Sequence, residues 1–509
     1  MMLLHEKLRK ITDKFPQKIA LVSPGTDTTF EQFQNRVDHL AGALESMGLK
    51  KGDRVSILSQ NRLDYLTFHF ATSMLGVILN VMNTRHVIPE WQWVLIDAQN
   101  SCLVVDESFT DVVPELKSSC PSLRYTIGID TNENVDFTTG QLVEQQKKVQ
   151  NIPHIEPEHP VLLIYTSGTT GRPKGCLQTQ VGSCTIDDLT AKSIAACEND
   201  AYMAVMPYFH QAGVIRTRAI MMNGGANVLP ESLEIDDIVD LMAEKKVTVT
   251  MIVSTQQALK LLDKSEKEGK GYFSLRLIIS GGGMGEKGMG MMKLFCDSLE
   301  CEYMGIWGQT ECTGPVTVVS GGTAFENPNT CGKPMEGIEL EIWNDKKVKL
   351  PIGTVGEIMV RSSMTASYWS NPEANNKLYT ENWLHTGDLG RLDQDGYLYF
   401  KDRKKELIKT GGENVYPSEV ERVLANHPSV SELAVIGLPD KEWGEKVTAV
   451  VVLNIGQALT LNELKAFCQG KIAGYKIPKS IHIVETIPKN QTGKTMKVKL
   501  QEQFNSYSL

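Results

Sequence analysis

The sequence predicts an α/β protein: a large amino-terminal domain of layered αβ subdomains plus a β-rich subdomain, followed by a small α+β domain. Three observations predict this. Helical segments alternate with short apolar segments up to about residue 300, the texture of a largely parallel sheet covered by helices. After about residue 335, strand-like runs follow one another with turns between them. From about residue 405 a smaller set of helix and strand segments begins. The 509 residues correspond to ~3–4 units of ~150 residues. A chain of this length buries a core without disulfides or metal.

Thr28-Thr29-Phe30-Glu31 reads as a capping box, a hydroxyl with a carboxylate three residues on. Phe33, Val37, Leu40, Leu44 and Met47 then share one helical face, and Gly48 suits a left-handed stop. Lys51-Gly52-Asp53 makes a turn into a strand from Arg54 to Leu58. Tyr65 to Met82 reads as a core helix running into a buried strand. It carries Thr67, His69, Thr72, Ser73 and Asn80, too many polar groups for a membrane span. Val161 to Ile164 and Leu277 to Ile279 are further buried strands. Glu339 to Trp343, Gly356 to Arg361 and Tyr397 to Lys401 supply the β-rich part, about 335–404. In the last segment Ser418 is read as a helix cap with Glu421 as its partner, and Leu433 to Ile436 and Val447 to Leu453 as strands. The main boundary is placed between Arg403 and Leu407, dividing 1–404 from 405–509.

Composition excludes several classes. Apolar residues make up 41% and charged residues 22%, which excludes disorder or a fibrous repeat for the bulk of the chain. The net charge is −9, without the basic stripe of a nucleic-acid binder. Ten cysteines are scattered with no Cys-x-x-Cys pair, against zinc or dithiol chemistry and in keeping with a reducing cytoplasm. The amino terminus lacks the long apolar region of a signal peptide, and Ser506-Tyr507-Ser508-Leu509 is not a peroxisomal address.

The most informative segment is Tyr165-Thr166-Ser167-Gly168-Thr169-Thr170-Gly171-Arg172-Pro173-Lys174-Gly175. Its glycines let the backbone turn tightly so that N–H groups converge on an anion. Four hydroxyls add donors, and Arg172 and Lys174 add positive charge, a chemistry suited to a polyphosphate. It is not a Walker A loop, because Pro173 precedes the lysine and Gly175 stands where Ser or Thr belongs.

This segment resembles the phosphate-loop signature of the adenylate-forming superfamily: acyl-CoA synthetases, peptide-synthetase adenylation domains and beetle luciferases. Further motifs match in order, and the resemblance spans about residues 15–500. Its nearest likeness is to medium-chain and carnitine-type acid–CoA ligases, especially across Gly411-Gly412-Glu413-Asn414-Val415-Tyr416-Pro417. The resemblance implies an AMP-forming ligase. A carboxylate attacks the α-phosphorus of ATP and pyrophosphate leaves. A thiol, usually that of CoA, then attacks the acyl carbon and expels AMP. ATP, Mg²⁺ and CoA are the implied cofactors and co-substrates.

The resemblance assigns roles residue by residue. Thr166, Ser167, Gly168, Thr169, Thr170, Gly171 and Lys174 are expected at the phosphates. Trp307-Gly308-Gln309-Thr310-Glu311 matches the aromatic-Gly-x-Thr-Glu motif. Glu311, with Thr166, is thereby the expected Mg²⁺ site, an oxygen donor set for a hard cation. Thr310 is expected near the phosphates. Most members carry Tyr where Trp307 stands, so stacking on adenine survives and a hydroxyl contact is lost. Gly281, Gly282 and Gly283 are expected between adenine and acyl group. Asp388, in Trp383-Leu384-His385-Thr386-Gly387-Asp388, is expected to accept the ribose hydroxyls, and Arg403 to reach ribose or phosphate. Lys494 is expected to bridge the attacking carboxylate and the α-phosphate. Lys405 is the expected hinge about which the small mobile domain swings. Lys409, Gly411 and Gly412 form the expected thioester-forming loop. His210 is expected beside the acyl carboxylate and thiol entrance. Its presence counts against an α-amino acid, because amino-acid-activating members carry Asp in that region.

The acid itself is less legible. Val214-Ile215-Arg216-Thr217-Arg218 is expected to line the pocket. Arg216 and Arg218 lie two apart and do not share one helical face, so at most one is expected inward. Two readings stay open. Both arginines are outward and solvated, or one meets a second anionic group on the substrate or the CoA phosphates. The leading function is an acid–CoA ligase of fatty acid metabolism, acting on a small-molecule carboxylic acid. A stand-alone enzyme loading an acyl carrier protein is the alternative, and an inactive nucleotide-binding protein a remote one. A homodimer is left open.

Overall fold

The structure is a computed structural model. It describes residues 2–166, 173–251, 255–269, 273–364, 366–411, 413–489 and 495–505, with backbone alone for 255–257 and 287. The chain divides into two compact units, Met1–Glu339 with Val360–Leu384, and Leu340–Met359 with His385–Leu509.

Two large sheets organise the first unit. In one, Leu277–Gly281, Val249–Met251, Ala201–Met203, Ala226–Val228 and Ile19–Ser23 run parallel, Glu302–Gln309 extends the parallel set, and antiparallel Gly314–Ser320 follows it. In the other, Arg54–Leu58, Ile78–Val81, Cys102–Asp106 and Tyr125–Ile129 are parallel neighbours, and Pro160–Thr166 joins beside Ile78–Val81. Pro160–Thr166 then turns back antiparallel into Lys174–Thr179. The central strands are buried along their length, as parallel strands covered on both faces must be. The expected αβ layering therefore holds, with two sheets sharing the work.

The helix Phe30–Ser46 packs Phe33, Val37, Leu40 and Leu44 into the core, all fully buried. Each such side chain contributes about 1.5–3 kcal/mol. Phe33 meets Phe70 of the Leu63–Leu75 helix edge-on at 5.9 Å. Gly48 and Gly76, with φ of 79° and 65°, end these two helices in the left-handed region, where a side chain would be strained. The capping box sits one residue later than expected. Thr29 caps, accepting from the Gln32 N–H at 3.2 Å, while Gln32 accepts from the Thr29 N–H at 2.9 Å.

The region 335–404 is strand-rich: Glu339–Trp343, Gly356–Arg361, Tyr379–Thr380, Trp383–Leu392 and Leu398–Arg403. The last of these begins one residue after the expected Tyr397 and runs on to Arg403. In the second unit, Ile408–Thr410, Gly444–Leu453 and Val430–Asp440 form an antiparallel sheet, with Ser480–Ile483 added in parallel. The expected Ser418–Glu421 box is absent. Tyr416 stands at the cap of the Pro417–Leu424 helix, and Ser418 is drawn instead to the neighbouring strand. Its hydroxyl donates to the Lys401 carbonyl at 2.5 Å and its N–H to Asp402 at 2.9 Å. Glu421 accepts from the Val435 N–H and pairs with Lys497, both at 2.8 Å. Tertiary partners outcompete the local cap.

Candidate active site

In the first unit the motif residues gather at the ends of strands, where open α/β sheets place ligands. Thr166 and Lys174 face each other in register at the connecting end of their hairpin. A Cβ on Gly175 would lie 2.8 Å from Leu163 Cδ1 and 3.0 Å from the Tyr165 ring, so glycine here serves close strand packing. Lys174 Nζ lies 5.2 Å from the centre of the Tyr368 ring. The Tyr368 hydroxyl donates to Glu311 Oε1 at 2.9 Å. Burial, then the Glu311 carboxylate, push the Tyr368 phenol up from its ordinary range, so it acts as a donor. A cation, a phenol and a carboxylate thus meet at one corner. Gln178 Nε2 and Cys176 Sγ reach the Thr310 carbonyl at 3.4 and 3.6 Å, holding the short turn Thr310–Cys312 that presents Glu311.

Trp307 is half-buried near the end of Glu302–Gln309. The strand register shifts between Trp307 and Gly308, and a Cβ on Gly308 would sit 2.1 Å from the Gly314 carbonyl oxygen. Gln309 Nε2 is buried without a partner among the described residues. Gly282 and Gly283 pass close to Cys331, and Gly283 has φ of 72°. Gly281 differs, since a Cβ there would meet nothing within 4 Å. Packing does not demand that glycine, and it leaves room beside the strand for a flat group.

His210 caps the Gln211–Met221 helix, its Nδ1 accepting from the Ala212 N–H at 3.2 Å. Burial, then the Arg216 charge, lower its pKa, so it is neutral near pH 7. The expectation that at most one of Arg216 and Arg218 turns inward is overturned, and so is the solvated reading. Their exposures are 1% and 0%. The helix is enclosed on nearly every side, so a spacing of two sends each arginine to a different buried neighbourhood. Arg218 forms a bidentate pair with Asp187 at 2.8 and 2.9 Å and meets His69 Nε2 at 3.0 Å. Arg216 Nη1 donates to the Ala212 carbonyl of its own helix at 2.8 Å.

In the second unit Asp388 and Arg403 are directly opposite across paired strands, with Arg403 Nε 3.6 Å from Asp388 Oδ1. The Asp388 N–H donates to Thr386 Oγ1 at 3.1 Å. Glu357 braces this region: it takes the Gly387 N–H at 3.2 Å, Lys404 Nζ at 3.0 Å and lies 3.3 Å from His385 Nδ1. Lys405 lies in the short turn Lys404–Glu406, whose first residue is also held by Asp345 at 2.9 Å. Lys409 and Gly411 lie in and beyond the strand Ile408–Thr410, and the Lys409 N–H donates to Glu445 at 2.7 Å. Gly411 has φ of 58°, and a Cβ there would press 2.9 Å from the Trp443 ring. Ser167, Gly168, Thr169, Thr170, Gly171, Gly412 and Lys494 lie outside the described residues.

Sequence reasoning missed Tyr368, 57 positions from Glu311, because no spacing links them. It also missed Glu357 and the Asp187–Arg218–His69 group, since a buried pair assembled from separate helices leaves no local pattern. Among the described residues no three His, Cys, Asp or Glu side chains cluster as a metal site. One carboxylate with nearby hydroxyls still fits Mg²⁺, which keeps several waters and takes few protein ligands.

The AMP-binding enzyme family matches residues 8–369, and the AMP-binding enzyme C-terminal domain matches residues 419–494. The chain is 30% identical over 497 residues to a 2-succinylbenzoate–CoA ligase of Bacillus cereus (strain Q1), covering 96% of both chains. It is equally 30% identical, over 501 residues, to a fatty acid–[acyl-carrier-protein] ligase, ScoC, of Streptomyces coeruleorubidus, covering 96% of this chain and 94% of that one. Its fold matches o-succinylbenzoate CoA synthetase of Bacillus subtilis, solved with its acyl-adenylate intermediate, at a TM-score of 0.85 and 28% identity, covering 97% of both. That enzyme has also been solved with ATP and a magnesium ion. The chain therefore belongs to the AMP-binding enzyme family, the adenylate-forming superfamily of acid–thiol ligases.

Proposed function

We propose that this chain is an ATP-dependent carboxylic acid–CoA ligase that works through an acyl-adenylate. The observation that carries the reading is the corner formed by Lys174, Tyr368 and Glu311 beside the Thr166 strand end. A cation, a phenol donor and an oxygen ligand meet there, which supports phosphate binding beside the 167–172 segment. When two anions approach, negative charge builds on phosphate oxygens and must be neutralised. Mg²⁺, held by Glu311 with Thr166, supplies part of that neutralisation. Lys174 and the 167–172 segment supply backbone and side-chain donors to the phosphates, and Thr310 lies beside them. Trp307 stacks on adenine, and Gly281, Gly282 and Gly283 give base and acyl group their passage. Asp388, set by Arg403, takes the ribose hydroxyls as an acceptor. Lys494 bridges carboxylate and α-phosphate. The neutral His210 stands by the acyl carboxylate, where it can donate or accept without adding charge.

For the second half-reaction the chain is divided at Lys405, with 405–509 moving about that residue. Lys409, Gly411 and Gly412 then shape the thiol passage. The braced Lys404 gives such a hinge a fixed upstream anchor. The likeness to ScoC favours one second reading, an acyl carrier protein as the thiol donor. Ten free cysteines support a cytoplasmic setting, and among the described residues no helix is long and apolar enough to cross a membrane.

Carboxylate-dependent ATP–pyrophosphate exchange over a panel of acids tests the adenylation step. Exchange with one acid class is expected, followed by CoA-dependent AMP release. Exchange with AMP release only on a phosphopantetheinyl carrier selects the second reading. No exchange with any acid, despite ATP binding, removes the ligase.

A further inference from the structure

Arg216 is a buried charge with little to satisfy it among the described residues. It is 1% exposed, yet among the described residues no carboxylate pairs with it. Among the described residues its Nε has no partner, and its Nη1 donates to a carbonyl of its own helix. Two further buried polar atoms in this neighbourhood are also unpartnered: Thr190 Oγ1 and the hydroxyl of Tyr202. An isolated buried cation costs several kcal/mol unless something compensates it. Among the described residues nothing satisfies these donors, which suits a ligand that does.

The geometry says where that partner sits. Arg216 and Thr190 line one tight cavity, together with Ser193, Ile279, Met304 and Ile306. Ile279 lies two residues before Gly281, and Ile306 immediately precedes Trp307. The cavity therefore borders the two strands that carry the motif glycines and the aromatic. Its remaining walls are apolar, including Pro315, Val318 and Met335. Ser193 donates to the Leu189 carbonyl at 2.8 Å, which leaves its oxygen lone pairs free to accept. An apolar slot with a guanidinium and a hydroxyl at one side suits a short carbon body ending in an oxyanion.

We propose that the acid this chain activates is a short dicarboxylate, whose second carboxylate docks on Arg216 and Thr190 at the end of this cavity. The proposal rests on the ligase reading for its first carboxylate, and on Arg216, Thr190 and the cavity for its second. A site that holds a buried donor for a substrate group rejects the analogue lacking that group, because the donor is then left unpaired.

The test uses the full chain and length-matched pairs: succinate with butyrate, glutarate with valerate, adipate with hexanoate. Calorimetric binding without ATP reads the second-carboxylate site by itself, and ATP–pyrophosphate exchange reads the chemistry. In the native protein at least one diacid is expected to bind about 100-fold or more tightly than its monoacid partner. Arg216→Met is expected to abolish that preference, Arg216→Lys to keep part of it, and Thr190→Val, which preserves shape, to reduce it. Diacid binding that depends on Arg216 without any exchange supports the site and removes the ligase reading. Exchange on monoacids, with no diacid preference for Arg216→Met to remove, overturns the proposal and leaves the ligase reading standing. Absence of diacid binding to the native chain also overturns it.

Discussion

Arg216 and Arg218 stand two residues apart on one helix, and the protein treats them in opposite ways. Arg218 is answered completely: two bonds to the Asp187 carboxylate and one to His69. Arg216 is answered by one backbone carbonyl and faces a cavity. Burial alone therefore does not distinguish a structural charge from a charge kept for a ligand. The state of its partners does. A buried pair is expensive to break, because the survivor is left charged and alone. A buried charge with no protein partner loses nothing of that kind when it is removed.

The largest expected effect sharpens this contrast. Arg218→Ala strands Asp187 and is expected to cost about 3–5 kcal/mol of stability. Arg216→Met, which fills similar space with an apolar side chain, is expected to be neutral or stabilising. Urea denaturation of both variants and the native chain measures the difference. Equal losses would mean that Arg216 is held by the fold after all.

The same distinction applies to two acids. Asp187 receives its two bonds from a charged partner, whereas Glu311 receives one from the neutral Tyr368. Glu311 is thus left with acceptor capacity for a cation. Glu311→Gln is expected to keep its fold and lose about 10²–10³-fold in pyrophosphate exchange, the scale of removing one group that stabilises developing charge. Retained exchange would end its proposed role. A smaller effect is expected from Tyr368→Phe, because a hydrogen bond to a charged group is worth about 1.5–3 kcal/mol. If Tyr368 orients Glu311, a raised Mg²⁺ requirement accompanies the lost rate. A stability loss with an unaltered Mg²⁺ dependence would make Tyr368 merely structural.

The contrast also explains what was legible in the sequence. Tyr165 to Gly175, Trp307 to Glu311 and Trp383 to Asp388 are contiguous motifs, so their order along the chain carried the family likeness. The helix around Phe33 and the strand Arg54–Leu58 were visible because their packing follows local periodicity. Tyr368 was invisible because its meaning is a meeting of its strand with the distant turn that carries Glu311. The Ser418 cap misled for the same reason. A local capping pattern was present, but the Lys401 carbonyl and the Asp402 carboxylate offered better partners. The two arginines were misjudged because helix spacing describes a helix with one wet face, and this one is enclosed.

The smallest effect is a slope in pH, and it compares the two arginine corners through their histidines. Arg218 Nη1 donates to His69 Nε2 at 3.0 Å, which requires a neutral imidazole at that nitrogen. Burial, then the Arg218 charge, lower the pKa of His69 well below its ordinary 6.5. His210 is lowered by burial and then by Arg216. In both cases the unfolded chain, near 6.5, takes up a proton that the folded chain declines. The stabilisation is full above about pH 6.5 and is lost as the pH falls toward the folded pKa, by at most about 1.4 kcal/mol per pH unit for each group. His69→Gln keeps an acceptor for Arg218 and removes the titration, so its stability is expected to fall less steeply between pH 6.5 and 5. Arg216→Met removes the cation beside His210, so it is expected to flatten the slope by a smaller amount, since burial is the larger cause there. Denaturation midpoints at several pH values measure both slopes. Native-like steepness in His69→Gln would show that His69 accepts its proton in the folded state, and the Arg218 corner would then be less completely satisfied than its distances imply.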